Sequence, residues 1–279
     1  MLRSRLIAGS LLALAAGAML VGDEYLAPYF PCLFVCVLVA SLLASRELLL
    51  LLPSSCRPSF AVIAVSVTAV LASNWIPHVA ELKDPWKPTL FVFAVVAILI
   101  ICTEMASFRE PGTSVARISA GIFAVVYLGI LPSFFVQLRW SERPPAWLAL
   151  ALTVFVPKCG DIGAYFTGRF LGRTKFAPLL SPKKTWEGFV GGMATSMATA
   201  VGLSFAGPAF QFGIVEAVAF GLAIGLAGVL GDLAESLIKR DAGTKDAAKS
   251  IPGFGGVLDV IDSLVFAGPV AYIWWNVRV

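Results

Sequence analysis

The sequence predicts an all-α, polytopic transmembrane protein with about nine spans and an N-in/C-out topology. The first observations behind this are that 58% of the 279 residues are hydrophobic, only 14% are charged, and the mean hydropathy is +0.87. A soluble domain carries about a quarter charged residues. The apolar excess also runs the whole length of the chain, so spans rather than soluble domains are what must be counted. The third observation is the uneven placement of Lys and Arg, developed below.

Crossing the hydrocarbon core takes roughly 20 mostly apolar residues per helix. Nine segments qualify: residues 5–22, 28–45, 59–76, 88–105, 117–137, 146–166, 187–206, 213–233 and 260–277. The first follows Arg3 and Arg5, as in a cleaved leader. A second apolar run follows so closely that a retained span is expected. After the second span, Arg46-Glu47 and an LLLLLP tract too short to cross alone predict an interfacial extension. The first half, 1–145, is bland, with acids such as Glu104 and Glu110 near expected span ends. Two connections are longer and polar, about 167–186 and about 234–259. The expected division is therefore 1–145, the N-terminal and middle transmembrane helices, and 146–279, a C-terminal catalytic transmembrane region with two cytoplasmic polar loops.

With the N-terminus in the cytoplasm, only Lys83, Lys87, Arg139, Arg143 and Arg278 of the 21 basic residues fall outside. That bias favours N-in/C-out, with both polar loops cytoplasmic. The net charge of +4 conceals it. The composition also excludes chemistries. The single histidine, His78, argues against a histidine metal site or a Ser-His-Asp triad. Five cysteines without CxxC spacing read as small buried hydrophobes. No GxxxxGK[ST] is present, which argues against a P-loop ATPase.

Three polar clusters stand out in the C-terminal half. The first is Lys158-Cys-Gly-Asp161-Ile-Gly-Ala-Tyr165, late in the sixth span. Asp161 and Tyr165 share a helical face, and Gly160, Gly163 and Gly168 allow another backbone to approach. Helix packing around one ion pair is the plainer reading of the same residues, although intramembrane charge by default marks function. The second cluster is Ser181-Pro182-Lys183-Lys184-Thr185. Ser-Pro predicts a helix start, with Ser181 as N-cap and Pro182 at the first helical position. A helix N-terminus, two lysines and the Thr185 hydroxyl make a triphosphate grip, or more simply a basic flank on the next span.

The third cluster is the densest. Asp232, Glu235, Ser236 and Lys239 recur at helical spacing and form one polar stripe. Asp259 and Asp262 open the last span, three apart, after a tight turn containing Pro252, Gly253, Gly255 and Gly256. Two helices meeting through that turn would set Asp232 opposite Asp259. Such carboxylates fit a divalent cation with oxygen ligands, Mg²⁺ above all. Neutralisation by Lys239, Arg240 and Lys245 accounts for some of the acids but not easily for Asp259 and Asp262 at a span threshold. Together the clusters describe phosphate chemistry at a membrane surface.

The stretch SLIKRDAGTKDAAKSIPGFGGVLDVIDS resembles the signature of the phosphatidate cytidylyltransferase family. Ser236, Lys239, Arg240, Lys245, Asp246, Pro252, Gly255, Gly256, Asp259 and Asp262 match in place, and the DIGAY and SPKKTWEG blocks precede them in order. Phe254 and Val260 depart, standing where many members have His and Arg. The resemblance covers about 158–263. It implies transfer of cytidylate from CTP to phosphatidic acid, with release of pyrophosphate, at the inner (plasma) membrane. It implies Mg²⁺ held by Asp232, Asp259 and Asp262, and allows a second, monovalent cation. Asp232, Asp259, Asp246 and Lys245 would be catalytic. Ser181, Lys183, Lys184 and Thr185 would hold CTP phosphates, while Ser236 shares the site. Lys239, Arg240 and Lys245 would bind pyrophosphate or phosphatidate, and Asp161 and Asp246 would orient the nucleotide or the basic groups. A homodimer is implied, and no nucleic-acid partner. The rival readings are a CTP-dependent transferase acting on another lipid, of the CDP-archaeol synthase or polyprenol kinase type, and an ion-coupled transporter.

Overall fold

The computed structural model describes residues 22–244, 248 and 255–276. Its principal helices are α1 Pro31–Leu51, α2 Phe60–Ser73, α3 Lys87–Ser107, α4 Ser114–Val125, α5 Ala146–Leu171, α6 Trp186–Ser204, α7 Ile214–Asp241 and α8 Leu258–Asn276. Helix α4 continues through a π turn, Val126–Ile130, and a short helix, Leu131–Gln137. Between α5 and α6 lies an antiparallel hairpin of β1 Lys175–Ala177 and β2 Ser181–Thr185. Among the described residues, seven segments are long and apolar enough to cross a membrane: Pro31–Leu51, Phe60–Val79, Lys87–Ser107, Ser114–Trp140, Ala146–Leu171, Ile214–Asp241 and Leu258–Asn276. Each corresponds to an expected span. The expected span 187–206 forms as α6 but falls outside that set, because Gly, Ser and Thr dilute its apolar content. The expected span 5–22 lies, apart from Gly22, outside the described residues.

Two expectations of local structure are corrected. Ser181 does not cap a helix; it opens β2, opposite Ala177. The pairing Lys175 with Thr185 and Ala177 with Ser181 leaves more residues on β2 than on β1. Pro182, which has no N–H to donate, sits in that bulged stretch. The cap is Thr185, whose hydroxyl accepts from Gly188 N–H at 3.1 Å. The carboxylate of Glu187 in turn accepts from the N–H groups of Arg173 and Thr174. The second correction concerns the polar loop expected from about 234. Helix α7 runs on to Asp241, since nothing between Gly231 and Asp241 breaks it, and Gly243 turns the chain with φ +69°.

The chain divides into two compact units, one formed by Met1–Val136 with Ala242–Val260 and the other by Gln137–Asp241 with Ile261–Val279. In the first, Leu33, Leu48, Ile63, Val67, Val70 and Leu128 are buried. Polar side chains inside it are matched: Asn74 donates to Ser133 Oγ at 2.8 Å and to the Val70 carbonyl at 3.0 Å. Buried Glu47 on α1 accepts from the N–H groups of Val257 and Leu258 at 3.0 and 2.8 Å. This carboxylate fixes the start of α8, and a β-carbon on Gly256 would collide with it.

The second unit is built on a seam of small residues between α5 and α6. A β-carbon at Gly160 would strike Ser196, one at Gly163 would strike Thr195, and one at Gly191 would strike Thr167. The expected close approach through Gly160 and Gly163 is therefore observed, at the separation that small residues permit between membrane helices. Helix α7 packs as closely, with Gly228 against Pro157 and Gly231 against the Asp262 backbone. At the far end Phe210, Phe220, Trp274 and Trp275 cluster in tilted and edge-on contacts with centroids 4.8–5.6 Å apart. The hairpin is seated on α6 by Phe176, which stacks on Phe189 at 5.1 Å and meets Trp186 edge-on at 4.6 Å. Gly163→Val should destabilise this unit by about 1–3 kcal/mol through overpacking. Melting of the detergent-solubilised protein checks it. Gly202→Ala, where a β-carbon meets nothing within 4 Å, should leave the midpoint unchanged or higher. Equal midpoints for the two variants would contradict the seam.

Candidate active site

The polar clusters of the second unit converge because α7 presents one stripe to both of its neighbours. Residues Asp232 and Glu235 lie on one face of α7, three apart, and Asp262 comes from α8, whose backbone touches Gly231. Ligand oxygens of these three carboxylates all lie within 4.8 Å of one another. Glu235 is fully buried and Asp262 nearly so. Three like charges at that spacing in an apolar bundle would repel strongly unless matched.

Each carboxylate has its own lysine. Lys184 Nζ is 2.6 Å from Asp232, Lys158 Nζ is 3.3 Å from Asp262, and Lys239 pairs with Glu235 one turn along α7. The three lysines come from three different elements: β2, α5 and α7. Lys158 also lies 4.0 Å from Asp161. Ser236 donates to Asp232 Oδ1 at 3.4 Å.

Beside this cluster opens a cavity of about 530 Å³ whose walls include Asp161, Tyr165, Lys183, Lys184, Thr185 and Asp232. Its size suits a nucleotide-sized ligand. Gly168 and Gly188 also line it, where side chains would meet Thr185. Arg169 holds the Tyr165 hydroxyl at 2.7 Å. Arg240 Nε donates to the Leu180 carbonyl at 3.1 Å, tying the end of α7 to the hairpin that carries the lysines. The cavity thus has a basic lip and an acidic side, joined at the Lys184–Asp232 pair.

Of the residues expected at a site, Asp161, Lys183, Lys184, Thr185 and Asp232 share this cavity, and Asp232 and Asp262 share the carboxylate group. Ser236, Lys239 and Arg240 are engaged as described above. Ser181 is not among the cavity walls. Asp259 belongs to the first unit, where it accepts from Gly256 N–H at 2.6 Å across a turn that Gly255 makes at φ +102°. Lys245, Asp246 and Phe254 lie outside the described residues. Glu235 and Lys158 are additions. The signal for Glu235 was its place in the helical stripe, and that for Lys158 was a cation inside a span. Oxygen-only donors at this spacing fit a hard divalent cation of the Mg²⁺ kind, which takes one or two carboxylates and completes its shell with phosphates and water.

A model of the Cytidylyltransferase family matches residues 3–277. The chain is 32% identical over 233 residues to the phosphatidate cytidylyltransferase of Synechocystis sp., covering 75% of each chain. It is 42% identical over 135 residues to the phosphatidate cytidylyltransferase of Haemophilus influenzae, covering 47% of each. Against phosphatidate cytidylyltransferase 5, chloroplastic, of Arabidopsis thaliana it is 35% identical over 179 residues, which is 56% of this chain and 44% of the plant protein.

Lys184 occupies the carboxylate that a cation bound at this cluster would use. Lys184→Ala should therefore tighten Mn²⁺ binding by about three- to tenfold when no nucleotide is present. Calorimetric titration reads this directly. Weaker binding in the variant would mean that Lys184 supports the carboxylates rather than blocking them.

Proposed function

The chain belongs to the cytidylyltransferase family, and we propose that it is a phosphatidate cytidylyltransferase, converting CTP and phosphatidic acid to CDP-diacylglycerol and pyrophosphate. The observation that carries this reading is one cavity in which Lys183, Lys184 and Thr185 face Asp161 and Asp232. Basic groups and a hydroxyl suit a triphosphate, and the adjoining carboxylates suit the cation that accompanies it.

In the proposed reaction a phosphate oxygen of phosphatidic acid attacks the α-phosphorus of CTP in line. A new P–O bond forms to that oxygen while the bond to the bridging β-oxygen breaks, and pyrophosphate leaves with the electron pair. The nucleophile is already anionic, so no strong base is needed, and catalysis becomes positioning and charge neutralisation. Lys183, Lys184 and Thr185 hold the CTP phosphates, with Ser181 at the hairpin's edge. Lys239, Arg240 and Lys245 receive pyrophosphate or phosphatidate, while Asp161 and Asp246 orient the nucleotide or the basic groups. Asp232 and Asp262, with Glu235 joining them and Asp259 as the further family carboxylate, would hold Mg²⁺. When bound there, the ion supplies charge to offset the phosphates. The lysines that pair with these carboxylates would then be free to turn towards phosphate.

Region 146–279 is proposed as catalytic and 1–145 as its transmembrane support. Nine spans with the N-terminus inside, counting residues 5–22 and α6, put the site at the cytoplasmic face of the inner membrane. The basic asymmetry of the sequence supports that orientation. A homodimer is the assembly the family resemblance suggests.

The test is purified, detergent-solubilised protein with phosphatidic acid, Mg²⁺ and CTP labelled at the α- or the γ-phosphate. Label from the α-position should enter the organic phase, label from the γ-position should leave as pyrophosphate, and EDTA should abolish transfer. Lipid labelled from the γ-position would instead make the protein a CTP-dependent lipid kinase. Asp232→Asn and Asp259→Asn should each lower kcat at least about a hundredfold. Near wild-type turnover by either variant at saturating Mg²⁺ would remove that residue from the metal set.

A further inference from the structure

The first unit contains a second pocket that the proposed reaction does not use. It encloses about 390 Å³ and shares no wall residue with the catalytic cavity. Its polar rim is formed by Arg57, Ser59, Thr103, Glu104, Ser107 and Arg117. Its apolar floor is formed by Val62, Ile63, Ile100 and Ile118. Arg57 precedes α2, Glu104 and Ser107 lie in the last turn of α3, and Arg117 lies in the first turn of α4. The rim therefore lies where three candidate spans end, and the floor about one turn further in. That is the boundary between headgroups and hydrocarbon.

The charges in the pocket do not cancel. Glu104 is matched by Arg117, at 3.3 Å. Arg117 is further held by the Ser55 carbonyl at 3.0 Å and Thr113 Oγ1 at 2.7 Å. Arg57 has no carboxylate partner among the described residues. One of its guanidinium nitrogens donates to the Leu50 and Leu52 carbonyls, at 3.2 and 2.8 Å. Its Nε is shielded from solvent and has no partner. A guanidinium carries five N–H donors and cannot give up its charge, so a shielded, unmatched donor calls for an acceptor. Thr103 and Ser107 direct their hydroxyl protons to helix carbonyls, leaving Arg57 as the principal free donor.

We propose that this pocket is a binding site for one anionic phospholipid, with its phosphodiester on Arg57 and the first carbons of its chains on Val62, Ile63, Ile100 and Ile118. One surplus positive charge matches the single negative charge of a phosphodiester. Basic pockets at the ends of transmembrane helices are where such headgroups bind, and the apolar floor distinguishes a lipid from a free phosphate. The site stands apart from the catalytic reading, and its ligand need not be a substrate.

The experiment uses the full chain in neutral detergent, native mass spectrometry and melting curves, with phosphatidylglycerol, phosphatidylcholine and inorganic phosphate as separate probes. Phosphatidylglycerol should give a saturable one-to-one adduct and raise the melting midpoint; the other two should do neither. Arg57→Gln should weaken the adduct at least about tenfold, and Arg57→Lys should retain part of it. Ile118→Trp, which fills the floor without touching the charge, should remove the adduct, and it carries the test if Arg57→Gln does not purify folded. Equal binding by wild type and both Arg57→Gln and Ile118→Trp would overturn the proposal. So would no binding, or phosphate binding as tightly as the lipid.

Discussion

Charge taken out of water must be matched within the protein, and the second unit is organised around that requirement. Asp232, Glu235 and Asp262 bring three carboxylates within 4.8 Å among apolar helices. Unmatched, such charges would cost several kcal/mol each. They persist because Lys184, Lys239 and Lys158 supply a cation to each from three separate elements. The arrangement is self-contained. In the proposed reaction a divalent cation would take over from the lysines, of which Lys184 already stands at the wall of the cavity.

The glycine seams follow from the same requirement. A lysine on α5 and a carboxylate on α8 meet only if the backbones between them come close, and α7 does so through Gly228 and Gly231. The α5–α6 seam at Gly160, Gly163 and Gly191 brings the start of α6, and with it the hairpin bearing Lys184, against the helix bearing Asp161. Aromatic packing of Phe176 on Phe189 fixes the hairpin in turn. Residues that look like packing in the sequence therefore set the distances of the chemistry. In the first unit the same rule holds for Glu47, whose buried carboxylate is satisfied by the N–H groups of Val257 and Leu258.

Much of this was legible in the sequence, for definable reasons. Seven of the expected spans coincide with membrane-length helices, because apolar runs of that length have few other fates. The stripe Asp232, Glu235, Ser236 and Lys239 was readable from spacing alone, since helical periodicity fixes which side chains share a face. What failed was local competition. Ser181-Pro182 has the composition of a helix start, yet the cap is Thr185, whose hydroxyl accepts from Gly188 N–H, and the preceding residues pair as a strand. The spacing put Glu235 in the stripe, and it pairs with Lys239; its nearness to Asp262 depends on the packing of α7 on α8, and a linear pattern does not encode that packing. The Arg57 pocket was invisible for a similar reason, since it joins the ends of three helices far apart in sequence.

If the lysine-matched carboxylates of α7 and α8 form the cation site that serves the cavity, crystals soaked in Mn²⁺ should give one strong anomalous peak. It should lie about 2.0–2.2 Å from oxygens of at least two of Asp232, Glu235 and Asp262, with Lys184 turned away from Asp232. A peak elsewhere, or none while all three lysine pairs remain closed, would mean that these carboxylates hold no catalytic cation.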